Sequence, residues 1–413
     1  MPIQYPSPQP TIGPNPREIA TMQVGNVAYT DWETVWLQHR LAESHSILRF
    51  TCAERDPIPG VNEFVKLQWR PGDPAAVLLG GVPAFAGVLI ERQVAYDGTS
   101  HSVQLTGKGQ TYWGAESSVD TTDNNGNFDG MTVKDVYETV FGKYPGGKLI
   151  WGTPNPRPFP YLSCQPGEKN WDFVERICRP RGMVLGSDFA GNYLLIGPHT
   201  PPLIYECIEG QNIKKLQMIW NKDYFKTSYG IQSQAQGSDD QNGTAASEME
   251  CQVHGNANIH SELHTPAEQP VKTKEELCER AQFEQIWVEG AEIECHVTVQ
   301  GWFPPGFDDI WRVGMNVYIW SPMACLDMIL KIQTATFTQD NNSGTQTELE
   351  LVLPWKLRGQ APYNVGKAGI PQDPVTNPTP APTPSQVQQS QQSPFEPTPQ
   401  QWQDLVAGIT PTS

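Results

Sequence analysis

One polar stretch, "CQVHGNANIHSELH", carries metal-ligand chemistry in Cys251, His254, His260 and His264. Cys-x-x-His and His-x-x-x-His spacings suit zinc, which takes thiolate and imidazole ligands in a tetrahedron. The glutamate of "HSELH" stands one place later than in the HExxH pattern, and Thr265-Pro266 would end any helix there. The surrounding residues are loop-like. The expectation is a solvated or interface loop with no metal and no other cofactor, the four residues standing as weak candidates. A second stretch, "NGNFDG", places Asn125, Asn127, Asp129 and Gly130 as a calcium loop begins, but Val136 occupies the position of the bidentate glutamate. Its Asn-Gly and Asp-Gly pairs are turn signals, so a polar interdomain loop is expected.

Carboxylate pairs for glycoside hydrolysis need only meet in space. Asp308-Asp309 lies between Pro305 and Trp311, where adjacent aspartates form turns and carry surface charge. There is no GxSxG, no P-loop and no GxGxxG between strand and helix. No catalytic set is assigned, and the chain is not read as an enzyme.

The balance of 28 Lys and Arg against 45 Asp and Glu, a net charge of -17, argues against a general nucleic-acid binder. The first residues, "MPIQYPSPQP", show neither the basic nor the apolar region of a signal peptide. The longest uncharged apolar run, "AAVLLGGVPAFAGVLI", is too short for a membrane span and is broken by Gly80, Gly81 and Pro83. It reads as strand, tight turn, strand. Eight cysteines without framework spacing are expected to be reduced thiols.

The elements that must position these residues follow from periodicity. "SILRFTCA" sets Leu48, Phe50 and Cys52 on one strand face, and "AEIECHVTVQGW" does the same with Ile293, Cys295, Val297 and Val299. "MTVKDVYETVFGKY" has Val133, Val136, Tyr137 and Val140 at helical spacing, and "KNWDFVERICRPRGM" predicts a helix that stops near Pro180. "VLGSDFAGNYLLIG" reads as a hairpin. Strands are expected at 213–220 and 227–234, a polar region from 237 to about 270, and a helix on "TKEELCERAQFEQIWVEG" capped by Thr273 with Glu276. The predicted organisation is a Pro-rich arm (1–18), a β-domain (19–120), a small α+β domain (121–203), a second β-domain (204–358) with an inserted loop and helix (235–290), and a Pro/Gln-rich tail (359–413) that cannot build a core of its own. Within that tail, "TPQQWQDLVAGI" predicts a short helix whose stripe of Trp402, Leu405, Val406 and Ile409 docks on a partner.

A weak internal repeat links the two β-domains. "RPGDPAAVLL" leads into "GVLIERQVAYDGTSHSVQLTG", and "RVGMNVYIWSP" leads into "MILKIQTATFTQDNNSGTQTELELVLP". Each reads Arg-x-Gly, strand, strand, a polar turn opening with Asp, strand. Asp97 follows Gly72 by 25 residues and Asp340 follows Gly314 by 26. A duplicated β-domain is the simplest account. Trp302, Trp311 and Trp320 are expected in barrel packing or subunit contact, which both use large flat side chains.

The stretch "VTVQGWFPPGFDDIWRVGMNVYIWSP", with Gly301-Trp302, Trp311, Asn316 and later Gly344-Thr345, resembles the C-terminal signature of baseplate hub proteins of contractile-tail phages. These are the late-control-protein-D-like group, or tail protein P of Mu-type phages. "SCQPGEKNWDFVERICRPRGMVLGSDFAGNYLLIG" is similar to the family's middle segment, and the resemblance covers about Ile19 to Leu357. It implies a β-rich α+β chain with two tail-tube-like antiparallel β-barrel domains, an inserted small α+β domain and an extended tail. It implies a homotrimer in the virion's tail baseplate, assembled in the host cytoplasm, that adapts the sixfold tube to a threefold spike. The implied partners are the tail tube protein, the central spike protein, other baseplate proteins and the tape measure protein. DNA would pass through the lumen without specific binding, past walls partly lined by the carboxylate excess. No membrane anchor is implied. The alternative is a hub-associated protein that binds peptidoglycan, through 130–202, or hydrolyses it.

Overall fold

The computed structural model describes residues 15–358 apart from 26, 54–68, 98–100, 123–124, 145–148, 152–156, 197–203, 234–248, 269–270 and 272. The first β region supplies β1 (Ala20–Val24), β2 (Val27–Tyr29), β3 (Thr34–Arg40), β4 (Ile47–Ala53), β5 (Pro74–Leu79), β6 (Val82–Tyr96) and β7 (His101–Gly109). A middle unit follows with α1 (Tyr112–Glu116), α2 (Val133–Phe141), β8 (Leu149–Trp151), α3 (Asn170–Cys178), β9 (Val184–Ser187) and β10 (Tyr193–Ile196). The remainder holds β11 (Ile204–Ile208), β12 (Ile213–Trp220), β13 (Ser228–Ser233), β14 (Met249–His254), β15 (Glu262–Pro266), α4 (Lys274–Glu289), β16 (Ile293–Gln300), β17 (Asn316–Ser321), β18 (Leu326–Asp340) and β19 (Gly344–Val352).

Period-two patterning behaves as the sequence predicts. Leu48, Phe50 and Cys52 of β4 and Cys295, Val297 and Val299 of β16 are buried on one face. Gly80 and Gly81, at φ +56° and +83°, make the two-residue turn between β5 and β6. In the middle unit, Thr132 and Asp135 form a capping box at the start of α2, each satisfying a backbone N–H of the other. α2 and α3 bury Val136, Tyr137, Val140, Phe173, Val174 and Ile177 in a common core. This unit's own sheet has the order β8-β10-β9.

The repeat is real at the level of topology. In the first half the strand order is β1-β5-β6-β7-β4-β3; in the second it is β11-β17-β18-β19-β16-β12. β6 and β18 each span 15 residues, and β7 and β19 each span 9. One difference lies at the edge: β1 runs antiparallel to β5, whereas β11 runs parallel to β17.

The resemblance implies two β-barrel domains. The described strands form instead one open 13-stranded sheet, antiparallel but for β11 on β17. The reason is the length of β18. Its first part, Leu326–Lys331, is taken up by β17, and its overhang from Thr334 pairs with β3 of the first half. An exposed strand edge is a template for another strand, and here the other half of the chain occupies it. One hydrophobic core accordingly runs through both halves, from Ala20 to Leu353.

Two further expectations are corrected. The polar region after 237 holds β14 and β15, which flank β13 in a third sheet. Its polar side chains face outward in alternation with Cys251 and Val253, so hydrophilicity concealed a strand period. The cysteines are not all free: Cys251 on β14 is bonded to Cys278 on α4. The fold brings their Cα atoms to 5.2 Å across 27 residues, a proximity that spacing in the sequence does not encode.

Candidate assembly surface

The two halves match residue by residue where the Arg-x-Gly motifs stand. The Gly72 N–H donates to the Leu89 carbonyl and the Gly314 N–H to the Ile332 carbonyl, each at 2.8 Å. In return the Leu89 N–H donates to Asp73 O and the Ile332 N–H to Met315 O, each at 2.9 Å. Both glycines have positive φ, +102° and +81°, the region glycine enters without a Cβ penalty. Just beyond, β6 bulges between Leu89 and Glu91, and β18 between Ile332 and Thr334. The bulges leave Ile90 and Gln333 as the extra residues and bend each long strand away from its first partner.

Beyond its bulge, β18 receives β3 in the register Thr334 to Arg40, Thr336 to Gln38, Phe337 to Leu37 and Gln339 to Val35. The bulge itself is used, because the Leu41 N–H donates to the Gln333 carbonyl at 2.9 Å. On the core side Leu37 and Phe337 are fully buried. His39 is buried beside them, its Nδ1 2.9 Å from Ser46 Oγ and its ring edge-on to Phe337. Burial, helped by the positive charge of Arg312, depresses the His39 pKa to about 3, so it is held neutral. On the other side Gln38 Nε2 donates to Thr336 Oγ1 at 3.1 Å, and Thr334 Oγ1 donates to Glu350 at 2.5 Å. A shallow polar groove of about 320 Å³ crosses this face, lined by Trp36, Gln38, Lys215, His296, Glu348 and Glu350. Its charges are of both signs.

Arg312 pins the middle unit to this joint. Its guanidinium takes both oxygens of Asp309 at 2.6 and 2.9 Å, donates to Pro83 O at 3.1 Å, and stacks 3.7 Å from the Phe189 ring centroid. One side chain thus touches the first half, the middle unit and the second half, in the planar geometry that suits arginine. On the other flank, Arg181 reaches Glu276 at 3.0 Å, Arg157 pairs with Glu279, and Arg176 donates to the Glu268 carbonyl at 3.3 Å. α4 is therefore clamped to the middle unit by charge.

Trp302 and Trp311 lie in the core of the second half; Trp302 Nε1 donates to Thr338 O, and the Trp311 ring packs edge-on against Tyr205. Trp320, on β17, is part-exposed. Asp308 is an exposed partner of Arg17 at 2.5 Å, while Asp309 holds Arg312. Cys251 has its sulfur in the disulfide, and His264, on β15, sits between Glu262 of its own strand and Glu250 of β14. Among the described residues no three His, Cys, Asp or Glu side chains gather as a metal site. In the "NGNFDG" loop, Asp129 accepts from the Leu162 N–H and Asn127 from the Asp129 N–H, so both side chains hold turns. Trp402, Leu405, Val406 and Ile409 lie outside the described residues. Among the described residues no helix is long and apolar enough to cross a membrane. Sequence reasoning missed Arg312 and the β3–β18 joint. Arg312 is the arginine of the second Arg-x-Gly motif, with Asp309 three residues before it, and that pair was its available signal.

Residues 116–197 match the family model described as baseplate hub protein gp44-like, second domain. The fold is similar to that of the 43 kDa tail protein of prophage MuSo2 from Shewanella oneidensis, at TM-score 0.68 and 20% identity over 83% of this chain and 99% of that one. It is also similar to the tail protein from Neisseria meningitidis, at TM-score 0.69 and 16% identity over 83% and 99%. A third likeness, TM-score 0.50 and 8% identity over 80% and 76%, is to an E. coli component of the type VI secretion system that is described as structurally similar to T4 bacteriophage tail proteins gp27 and gp5. No curated protein matches the sequence.

Proposed function

We propose that the chain is a structural hub subunit of a phage or phage-like tail baseplate, three copies of which form a ring that adapts a sixfold tail tube to a threefold spike. The observation that carries this reading is the duplicated strand order joined through β3 and β18. A chain made of two equivalent β-units in tandem turns three copies into six similar positions, which is what an adaptor between sixfold and threefold symmetry needs. The gp44-like second domain at 116–197 and the fold shared with prophage tail proteins point the same way. In this reading the two units are the tube-like domains, the tube and spike proteins are the partners, and the chain works in the assembled tail. The role is mechanical, with no bond made or broken.

The decisive measurement is the mass of the purified full chain by light scattering, alone and with the tube and spike proteins of the same tail. The expected result is three chain masses, or a threefold particle formed on addition of the partners. A chain that stays monomeric and joins no such particle overturns the reading. A peptidoglycan zymogram run on the same sample is expected to show no cleared band.

A further inference from the structure

The third sheet is held to its helix by little apolar surface and one covalent bond. Among the described residues β13, β14 and β15 pair with one another and form no ladder with the 13-stranded sheet. One face of this sheet lies against α4 over a small core of Ile231, Cys251, Val271, Leu277 and Ala281. The opposite face carries Glu250, Gln252, Glu262 and His264. A core of that size removes little area from water, so the Cys251–Cys278 bond carries a large part of the attachment.

That bond stands at one end of the helix–sheet contact. At the other end Gln285 Nε2 donates to the His254 carbonyl at 2.9 Å, and Glu289 accepts from the backbone and side-chain amides of Asn256 at 3.0 and 2.8 Å. Cys251, His254 and Asn256 thus run alongside Cys278, Gln285 and Glu289, with hydrogen bonds as the hinge and the disulfide as the latch. Glu276 and Glu279, on either side of Cys278, hold Arg181 and Arg157 of the middle unit. Those ion pairs keep α4 in place whether the bond is closed or open. We infer that Cys251 and Cys278 form a reversible thiol–disulfide latch, which fastens β14 to α4 in an oxidising medium and releases it in a reducing one.

Burial directs thiol chemistry to this pair. Cys52, Cys178, Cys207 and Cys295 are buried. Burial pushes the Cys178 and Cys207 thiols well above their ordinary range and the Cys295 thiol to about 12, which keeps the reactive thiolate scarce. In the disulfide, Cys251 is buried and Cys278 is half-buried, so an external thiolate reaches Cys278 Sγ first. The S–S bond breaks, and Cys251 leaves as a thiolate that takes up a proton. A second thiolate then displaces Cys278 from the mixed disulfide, and that thiolate is protonated in turn. Two electrons pass to the protein pair, and the reagent departs as its own disulfide. Oxidised glutathione runs the exchange backwards, taking the two electrons and leaving as two reduced molecules. In the dithiol form β14 parts from α4 at the Cys251 end, and Ile231, Val253 and Leu277 meet solvent.

The test uses the full chain carrying Cys164→Ser and Cys325→Ser, which removes the half-buried and the exposed unbonded thiols. The folded protein is held in dithiothreitol or in oxidised glutathione, then followed by iodoacetamide labelling with mass spectrometry and by hydrogen exchange. Label is expected on Cys251 and Cys278 in the reductant and on neither in oxidised glutathione. Exchange in β13–β15 is expected to run about a hundredfold faster in the reduced protein, the scale on which closing a loop of this length acts, with β4 and β16 unchanged. Replacing the reductant with oxidised glutathione is expected to restore the slow rate. The same chain with Cys278→Ser is expected to exchange fast in both media. A pair that takes label while β13–β15 keep the oxidised rate overturns the inference, as does a pair that stays unlabelled in the reductant or fails to close again. None of these readings depends on how many copies associate, so the hub reading is tested apart from them.

Discussion

At the residue scale, two buried titratable groups, His39 in the joint between the halves and Asp188 in the β9–β10 turn, pull stability in opposite directions with pH. His39 is depressed to about 3 by burial, so its protonation favours the unfolded chain. Its contribution is fully present above about pH 6.5 and is lost as pH falls through the window down to about 3. Asp188 is raised to about 6, burial outweighing the bonds it accepts from Ala190 and Asn192. Its folded pKa lies above its unfolded one, so its contribution is present in acid and is lost as pH rises from about 4 to 6. The histidine window is the wider, and it spans on the order of 4 kcal/mol in all. Where the two windows overlap, from about pH 6 to 4, the opposed slopes nearly cancel, so the native chain is expected to hold nearly level there and to lose stability below about pH 4, as read by urea midpoints. His39→Gln should make stability rise as pH falls from about 6 to 4, because Asp188 is left to act alone; a profile that stays level there would show that His39 does not balance it. Arg312→Lys keeps the charge but gives up the bidentate grip on Asp309 and the stacking on Phe189. The expected cost is about 2 kcal/mol in the same urea titration. A loss below about 0.5 kcal/mol would mean the three-way contact is decorative.

At the element scale, the repeated glycine turns are not interchangeable in context. Gly72 at φ +102° has open space around a notional Cβ, while the Cβ of Gly314 at +81° would sit 3.3 Å from the Leu41 side chain that seals the joint. Gly72→Ala is expected to cost about 1–2 kcal/mol from backbone strain alone, and Gly314→Ala somewhat more because Leu41 must also shift. Thermal melts of the two variants check the order. The Cys251–Cys278 bond ties β14 to α4, and the loop of 27 residues it closes implies a stabilisation of about 3–4 kcal/mol. Cys251→Ser is expected to raise hydrogen exchange in β13–β15 and α4 while leaving β4 and β16 protected; uniform protection everywhere would deny the bond that local role. What the sequence disclosed follows from the same physics. β4, β16, α2 and α3 were legible because alternating or helical apolar spacing is local information. β14 and β15 were hidden because Glu250, Gln252, Glu262 and His264 dilute the apolar period on strands with little core to face. The β3–β18 pairing was invisible for a deeper reason: nothing within Thr34–Arg40 names a partner some 300 residues away, and only the finished sheet does.

For the whole molecule, the repeat was readable through Gly72 and Gly314, but its consequence was not. The motif suggests two domains, whereas among the described residues the fold makes one sheet, joined through β3 and β18. That layout sets the forces of assembly. In a ring of identical copies, each arriving copy carries a net charge of -17. Like charges spread over a surface repel over a Debye length, about 10 Å at 0.1 M salt, and this repulsion is screened as salt rises. A single peripheral ion pair contributes at most about 1 kcal/mol and weakens with salt. The repulsion between whole copies outweighs that one pair, so self-association should tighten as ionic strength rises from about 0.02 to 0.2 M. Sedimentation equilibrium at the two salt concentrations measures this directly, with a several-fold stronger constant expected at the higher one. An association that weakens instead would mean that ion pairs hold the copies together.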